Sequence, residues 1–138
     1  FLMQTLHWRV EDEASASEAT LLEQYAAVSR QGVVDAVLLD AKTSTAAGGT
    51  GRTLPWKRLR DVLSSEPRGL RIVLAGGLRP ENVAEAIGTL RPWGVDVASG
   101  VEEMPGKKDP VRVEAFIRNA RNAFAAIENK GIAAGRVP

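Results

Sequence analysis

Residues 33–40 read VVDAVLLD, and residues 41–53 read AKTSTAAGGTGRT. The first run is almost wholly apolar, the pattern of a strand buried on both faces of a parallel sheet. It closes on an aspartate and gives way to a long loop of small residues with three glycines. A parallel strand needs crossover connections to its neighbours, so the sequence on either side decides the fold.

Upstream, LMQTLHWRV (2–10) is a first strand, rich in aliphatic and aromatic residues. Between the two strands, Ser15 and Glu18 make an S-x-x-E capping box. Leu21, Leu22, Tyr25 and Val28 share one side of the helix that follows, and Gly32 stands where a left-handed cap ends it. Downstream, Pro55 suits a first helical turn, and Trp56, Leu59 and Leu63 follow at helical spacing. LRIVLAGG (70–77) is a third strand. Pro80 opens a third helix with Val83, Ala86, Ile87 and Leu90 in register, and Pro92 stops it. GVDVASG (94–100) is a fourth strand. Asp109-Pro110 starts a last helix with an apolar stripe of Val113, Phe116, Ile117, Ala120, Phe124 and Ile127. Gly131 is expected to cap it, leaving 131–138 as a flexible tail or linker.

Strand and helix alternate four times, which predicts an α/β fold with a parallel sheet and right-handed crossovers. An open doubly wound sheet and part of a (β/α)8 TIM barrel both accept that order. A complete barrel needs about 200 residues or more, and the chain has 138. If the fold is the barrel, four β/α units over residues 1–130 make half of one.

Composition narrows the function. With 44% hydrophobic and 25% charged residues, the chain is of the soluble globular class, not the disordered one. A net charge of +1 argues against nucleic acid or a membrane surface as the main partner. No apolar run approaches the ~20 residues of a membrane helix. The absence of cysteine excludes disulfides and thiolate metal sites and fits a cytoplasmic setting. With His7 the only histidine, a multi-histidine metal site is excluded as well. The chain opens on Phe1-Leu2-Met3 in an apolar stretch with no polar lead-in, and the expectation is a fragment of something longer.

In either architecture, function sits beyond the carboxyl ends of the strands. Those ends hold Asp40 with Gly48, Gly49 and Gly51, then Gly76-Gly77, then Asp96, Ser99 and Gly100. AAGGTGRT is not a P-loop, since Ala46 replaces the first glycine and Arg52 the lysine. Glycines directly after a strand let a ligand approach the backbone, and the helix behind offers free amides and a positive dipole end. LAGGLRPENV and ASGVEEMPG share this build, as expected of a phosphate site made by two adjacent loops; plain tight turns are the other reading. His7 lies within its strand rather than at the end and reads as structural. Trp8, Trp56 and Trp93 read as core or rim packing, and Lys107 and Lys108 as an exposed charge pair.

Four segments, LLDAKTSTAAGGTGRTLPW, LAGGLRPENVAEAI, GVDVASGVEEMPGKKD and VRVEAFI, resemble phosphoribosylanthranilate isomerase in order and spacing. The similarity reaches back through MQTLHW and covers nearly the whole chain up to about residue 129. The resemblance implies the carboxyl-terminal half, strands 5 to 8, of a (β/α)8 barrel of tryptophan biosynthesis. It implies an Amadori rearrangement of an anthranilate aminoaldose phosphate to the ketose, without metal or organic cofactor. Asp40 matches the family's general acid, and the mouth of a packed barrel can keep a carboxyl group as a proton donor. The loop with Gly48, Gly49 and Gly51 would be a mobile cover. Amides around Gly76, Gly77, Ser99 and Gly100 would hold the phosphate, and Asp96 a sugar hydroxyl.

The chain departs from the family pattern at Ala98-Ser99, where two serines are usual, and at TLPW, where Phe-Asp-Trp is usual. The family's general base, a cysteine closing strand 1, and its anthranilate-binding arginine on strand 2 have no counterpart here. The expected partners are therefore the phosphorylated sugar substrate and an amino-terminal half barrel, in the same or a separate chain, or a second copy of this one. A non-catalytic phosphate-binding half barrel acting as an assembly partner is the rival reading. Related barrels of histidine and tryptophan biosynthesis share the phosphate loops, but GGTG after LLDAK favours the anthranilate substrate.

Overall fold

The computed structural model of the chain describes residues 1–9, 14–42, 56–64 and 70–134. Strands β1 (Met3–Arg9), β2 (Ala36–Lys42), β3 (Arg71–Leu74) and β4 (Gly94–Val95) lie parallel in the order β1-β2-β3-β4. Helices α1 (Ala14–Gln31), α2 (Trp56–Ser64), α3 (Val83–Leu90) and α4 (Pro110–Ala134) follow the four strands in turn. Sequence neighbours are sheet neighbours throughout, and right-handed crossovers then put every connecting helix on one face. A flavodoxin-like order, which doubles back within the sheet, is excluded. The order is that of consecutive units in a (β/α) barrel.

Side chains divide between the two faces by strand alternation. Leu6 pairs with Leu39, Leu39 with Leu74, and Leu74 with Val95, so these residues form one lateral row. Leu6, Leu39 and Leu74 are at most 2% exposed and belong to the core cluster, against which Val95 packs. The helices complete this core with Leu21 and Tyr25 of α1, Leu59 of α2, Ile87 of α3 and Phe116 of α4. Each aliphatic side chain so buried contributes about 1.5–3 kcal/mol. The Tyr25 hydroxyl accepts the Leu70 N–H at 3.0 Å, tying α1 to the entry of β3. On the opposite face, Thr5 and Arg71 are exposed, and His7, Leu38, Asp40 and Val73 are half-buried.

Several expected boundaries move, each for a local reason. β2 starts at Ala36 rather than at residue 33, because Asp35 turns back to β1. The Leu2 N–H donates to Asp35 Oδ2 at 2.6 Å, the Asp35 N–H donates to the Leu2 carbonyl at 2.9 Å, and Val33 is left 64% exposed. β2 also runs two residues past Asp40. Ser15 lies inside α1 rather than at its cap, and Glu18 instead pairs with Arg58 Nε of α2 at 2.5 Å. β3 ends at Leu74 and β4 at Val95, both shorter than expected. After β4 comes a 3-10 turn at Ser99–Val101 and an antiparallel hairpin, β5 (Glu102–Met104) and β6 (Lys107–Lys108), that the strand–helix alternation does not announce.

Helix α4 continues through Gly131 to Ala134, so that glycine does not cap it. A glycine inside a helix costs only about 1 kcal/mol relative to alanine, too little by itself to end one. Residues 135–138 of the expected tail, and Gly48, Gly49 and Gly51 of the expected cover, lie outside the described residues. At the other end of α4, Asp109 Oδ1 accepts the backbone N–H groups of Val111 at 2.9 Å and Arg112 at 3.4 Å. Asp109→Ala is expected to lower stability by about 1 kcal/mol, and Asp109→Asn by only a few tenths. Urea unfolding midpoints of the two variants would check this; equal losses would mean that the cap is not what Asp109 contributes.

Candidate active site

Hydrogen bonds carry the parallel ladder one residue beyond the core row. The Ala75 N–H donates to the Leu39 carbonyl at 2.7 Å, and the Asp96 N–H to the Leu74 carbonyl at 2.8 Å. His7 is the register partner of Asp40. His7 and Asp40, within β1 and β2, and Ala75 and Asp96, just past the ends of β3 and β4, therefore occupy the next lateral row. Asp40 and His7 face each other on the side away from the helices, with His7 Nδ1 3.9 Å from Asp40 Oδ2. Their side chains are 36% and 37% exposed, respectively. Asp96 is exposed.

Gly76 and Gly77 follow immediately, with φ of +80° and +67°, a backbone path that side chains disfavour. Their N–H groups donate no hydrogen bond among the described residues. Asn82 holds the loop from inside: its Nδ2 donates to the Gly77 carbonyl at 3.0 Å, and its Oδ1 accepts the Arg79 N–H at 2.8 Å. Helix α3 begins after this turn, at Val83 and not at Pro80. The Ser99–Gly100 turn packs directly against the same loop. A Cβ on Gly100 would lie 1.7 Å from the Leu78 carbonyl oxygen, so the contact requires glycine.

Helix α4 locks the two loops together. The Arg112 guanidinium donates to the Gly100 carbonyl through Nε at 3.2 Å and Nη2 at 3.0 Å, and lies 3.4 Å from Glu81. Asn119 Nδ2 donates to the Pro80 carbonyl at 2.8 Å. Asn82 has a visible sequence signal, since asparagine beside a Gly-Gly turn commonly bonds local backbone. Arg112 has none. The place of His7 opposite Asp40 follows from strand register alone.

The two lysines after the turn are engaged in pairs. Lys107 Nζ lies 2.8 Å from Glu103 Oε2. Lys108 Nζ donates to Glu102 Oε1 at 2.7 Å and to the Ala98 carbonyl at 2.8 Å, fastening the hairpin to the Ser99 turn. The Lys108 hydrogen bond, aided by the Gly106 N–H and the lysine charge and opposed by burial, holds the Glu102 carboxyl below its usual range. A depressed carboxyl pKa contributes stability above the unfolded-state value, and the contribution disappears as pH falls through the folded-state value. Glu102→Gln should therefore be less stable than the parent at neutral pH, with the gap closing in acid. Urea midpoints against pH would show it; a gap that widens in acid would contradict the pairing.

Among the described residues no group of three His, Asp or Glu side chains is disposed to hold a metal ion, and no helix is long and apolar enough to cross a membrane. Of the tryptophans, Trp8 and Trp56 are core residues at 5% and 7% exposure. Trp93 is a rim residue, stacked on Phe1 at 6.1 Å with the Arg71 guanidinium 5.3 Å from its ring centre.

Sequential parallel strands, helices on one face, and a rim carrying a carboxylate beside paired glycine loops define an α/β protein of the barrel type. Comparison with known proteins then specifies the family. Residues 8–119 match the family model for N-(5'-phosphoribosyl)anthranilate (PRA) isomerase, and the chain belongs to that family. It is 55% identical over 87 residues to the N-(5'-phosphoribosyl)anthranilate isomerase of Trichlorobacter lovleyi, covering 63% of this chain and 41% of the relative. With the Methanosarcina acetivorans isomerase it shares 42% over 127 residues, covering 90% of this chain and 52% of the relative. Among solved structures, it superposes on the phosphoribosyl anthranilate isomerase of Thermotoga maritima with a TM-score of 0.62 at 36% identity, covering 86% of this chain and 51% of the other. A further match, at TM-score 0.54 and 28% identity over 88% of this chain and 50% of that one, is an isomerase in complex with reduced 1-(o-carboxyphenylamino)-1-deoxyribulose 5-phosphate. The chain thus spans about half the length of the relatives it matches.

Proposed function

We propose that these residues are the carboxyl-terminal half, strands 5 to 8, of a phosphoribosylanthranilate isomerase barrel of tryptophan biosynthesis, and supply its acid and its phosphate site. The observation that carries the reading is the packing of the Gly76-Gly77 loop against the Ser99-Gly100 turn beside the Asp40 strand. Amides from both loops converge on one anion, and the start of α3 adds its dipole. Asp96, in the same row two strands from Asp40, bonds a sugar hydroxyl.

The reaction then divides in two. Asp40 gives its proton to the ribose ring oxygen while the anthranilate nitrogen pushes its lone pair toward C1′. The C1′–O4′ bond breaks, its electron pair stays on the protonated oxygen, and a Schiff base forms. A general base next removes the C2′ proton, and the electrons shift to give the enol-amine that becomes the ketose. By the family resemblance that base is a cysteine closing strand 1. The chain contains no cysteine, so the base comes from the complementary half barrel.

General base catalysis is worth about 10²–10⁴-fold, and the missing wall also removes positioning. The chain alone is therefore expected to show no measurable turnover. A chimera joining the first four units of the Thermotoga maritima isomerase to residues 1–134, and unfolding cooperatively, is expected to convert the substrate. Robust activity of the pure chain would overturn the division of the site. An inactive but folded chimera that still binds inorganic phosphate would favour the assembly-partner reading instead.

A further inference from the structure

His7 is the one polar side chain on β1 that directly faces Asp40, and neither the resemblance nor the reaction assigns it a part. The parallel register fixes the two Cα atoms as partners one strand spacing apart, on the same face and at the same height. His7 Nδ1 is shielded from solvent and has no hydrogen-bond partner among the described residues. The nearest carboxylate oxygen, Asp40 Oδ2, is 3.9 Å away, beyond hydrogen-bond range but within reach of a small side-chain rotation. A shielded ring nitrogen without a partner, this close to a carboxylate, is a buried polar group that calls for one.

The geometry points to His7 as a positioning residue for Asp40, donating its Nδ1–H to Oδ2 after a small side-chain rotation. The inference rests on the acid role proposed above. With Oδ2 occupied by His7, the acidic proton of Asp40 is confined to Oδ1, the oxygen free to meet the ribose ring. As that proton departs, the bond from His7 becomes a charge-assisted one to a carboxylate and strengthens. The interaction thus grows along the reaction coordinate, and its loss lowers kcat rather than raising KM. The opposite arrangement, Asp40 donating to an unprotonated Nδ1, would turn the proton away from the sugar. The two arrangements differ in the histidine tautomer.

Because His7 is the only histidine, its imidazole nitrogens give a single, unambiguous set of signals. The ¹⁵N-labelled chain at alkaline pH, where imidazole is neutral, is expected to show the Nδ1–H tautomer, and Asp40→Ala is expected to shift it toward the Nε2–H form of free histidine. An Nε2–H tautomer, or one indifferent to Asp40→Ala, overturns the proposal. In the eight-unit chimera, His7→Leu is expected to lower kcat about 10-fold with KM within about twofold, and His7→Asn, whose amide can still donate, is expected to restore most of it. A His7→Asn variant no better than His7→Leu, or an effect confined to KM, also overturns it. Full activity of Asp40→Ala, with the tautomer still responding, would remove the acid role and leave the His7–Asp40 pairing standing, so the two failures are distinguishable.

Discussion

Replacing Asp40 by asparagine in an eight-unit barrel is expected to lower kcat by about 10²–10⁴-fold, the range for loss of a general acid. Asparagine keeps the shape and the hydrogen-bonding reach of the side chain but carries no proton that can be given to an oxygen. The fold should tolerate it. Asp40 lies on the half-open side of β2, 36% exposed, and its backbone is held by a ladder that the side chain does not enter. KM should change little, because the proposed phosphate contacts come from the loops after β3 and β4. Asp40→Glu moves the proton outward by one methylene and should fall between the two, since misplacement by about 1 Å can cost on the order of 10²-fold. Steady-state kinetics of the three proteins would decide the matter. An asparagine variant within tenfold of the parent kcat would mean that the acid is some other group, and Asp96, two strands away in the same row, would be the next to replace.

The parts of this fold that the sequence displays are those governed by local periodicity. Val83, Ala86, Ile87 and Leu90 recur at helical spacing, and all four are buried. Trp56, Leu59 and Leu63 do the same on α2. Such patterns need only one helix and one apolar surface to be readable. Strand ends are different, because a strand stops where its partner stops offering hydrogen bonds. The β2 run looks continuous from Val33, yet the ladder begins at Ala36, after Asp35 has turned to the Leu2 amide. The hairpin after the Ser99 turn does carry a signal in Pro105-Gly106, with Gly106 at φ +81°, but strands of two and three residues have no periodicity to read.

For the candidate site the division is similar. The chemistry of Asp40, Gly76, Gly77 and Gly100 is legible as residue types at strand ends. Their relative placement is not, because it depends on register and on packing between loops distant in sequence, as Leu78 and Gly100 are. His7 shows this most clearly: within its strand it looks structural, and only pairing with β2 turns it toward a carboxylate.

Gly100 carries the second large effect. A Cβ there would sit 1.7 Å from the Leu78 carbonyl oxygen, 2.9 Å from its carbon and 3.2 Å from Arg79 Cγ. The first two atoms are backbone, so no side-chain rotation relieves the clash, and one of the two loops has to move. The Ser99 turn cannot retreat freely, because Arg112 grips the Gly100 carbonyl and Lys108 the Ala98 carbonyl. The Gly77 loop is restrained from its own side by Asn82. Gly100→Ala is therefore expected to cost about 1–3 kcal/mol of stability, as overpacking does. It should also pull the two sets of amides out of register with one phosphate. Losing one charge-assisted hydrogen bond, worth about 1.5–3 kcal/mol, weakens phosphate binding by roughly 10- to 100-fold. Gly88→Ala adds the same methyl group to the exposed face of α3, where nothing lies within 4 Å, and should be neutral or stabilising by up to about 1 kcal/mol. Urea unfolding and phosphate titration of both variants separate the effects. If Gly100→Ala binds phosphate as the parent does, the two loops do not share an anion, and the glycine at position 100 serves packing alone.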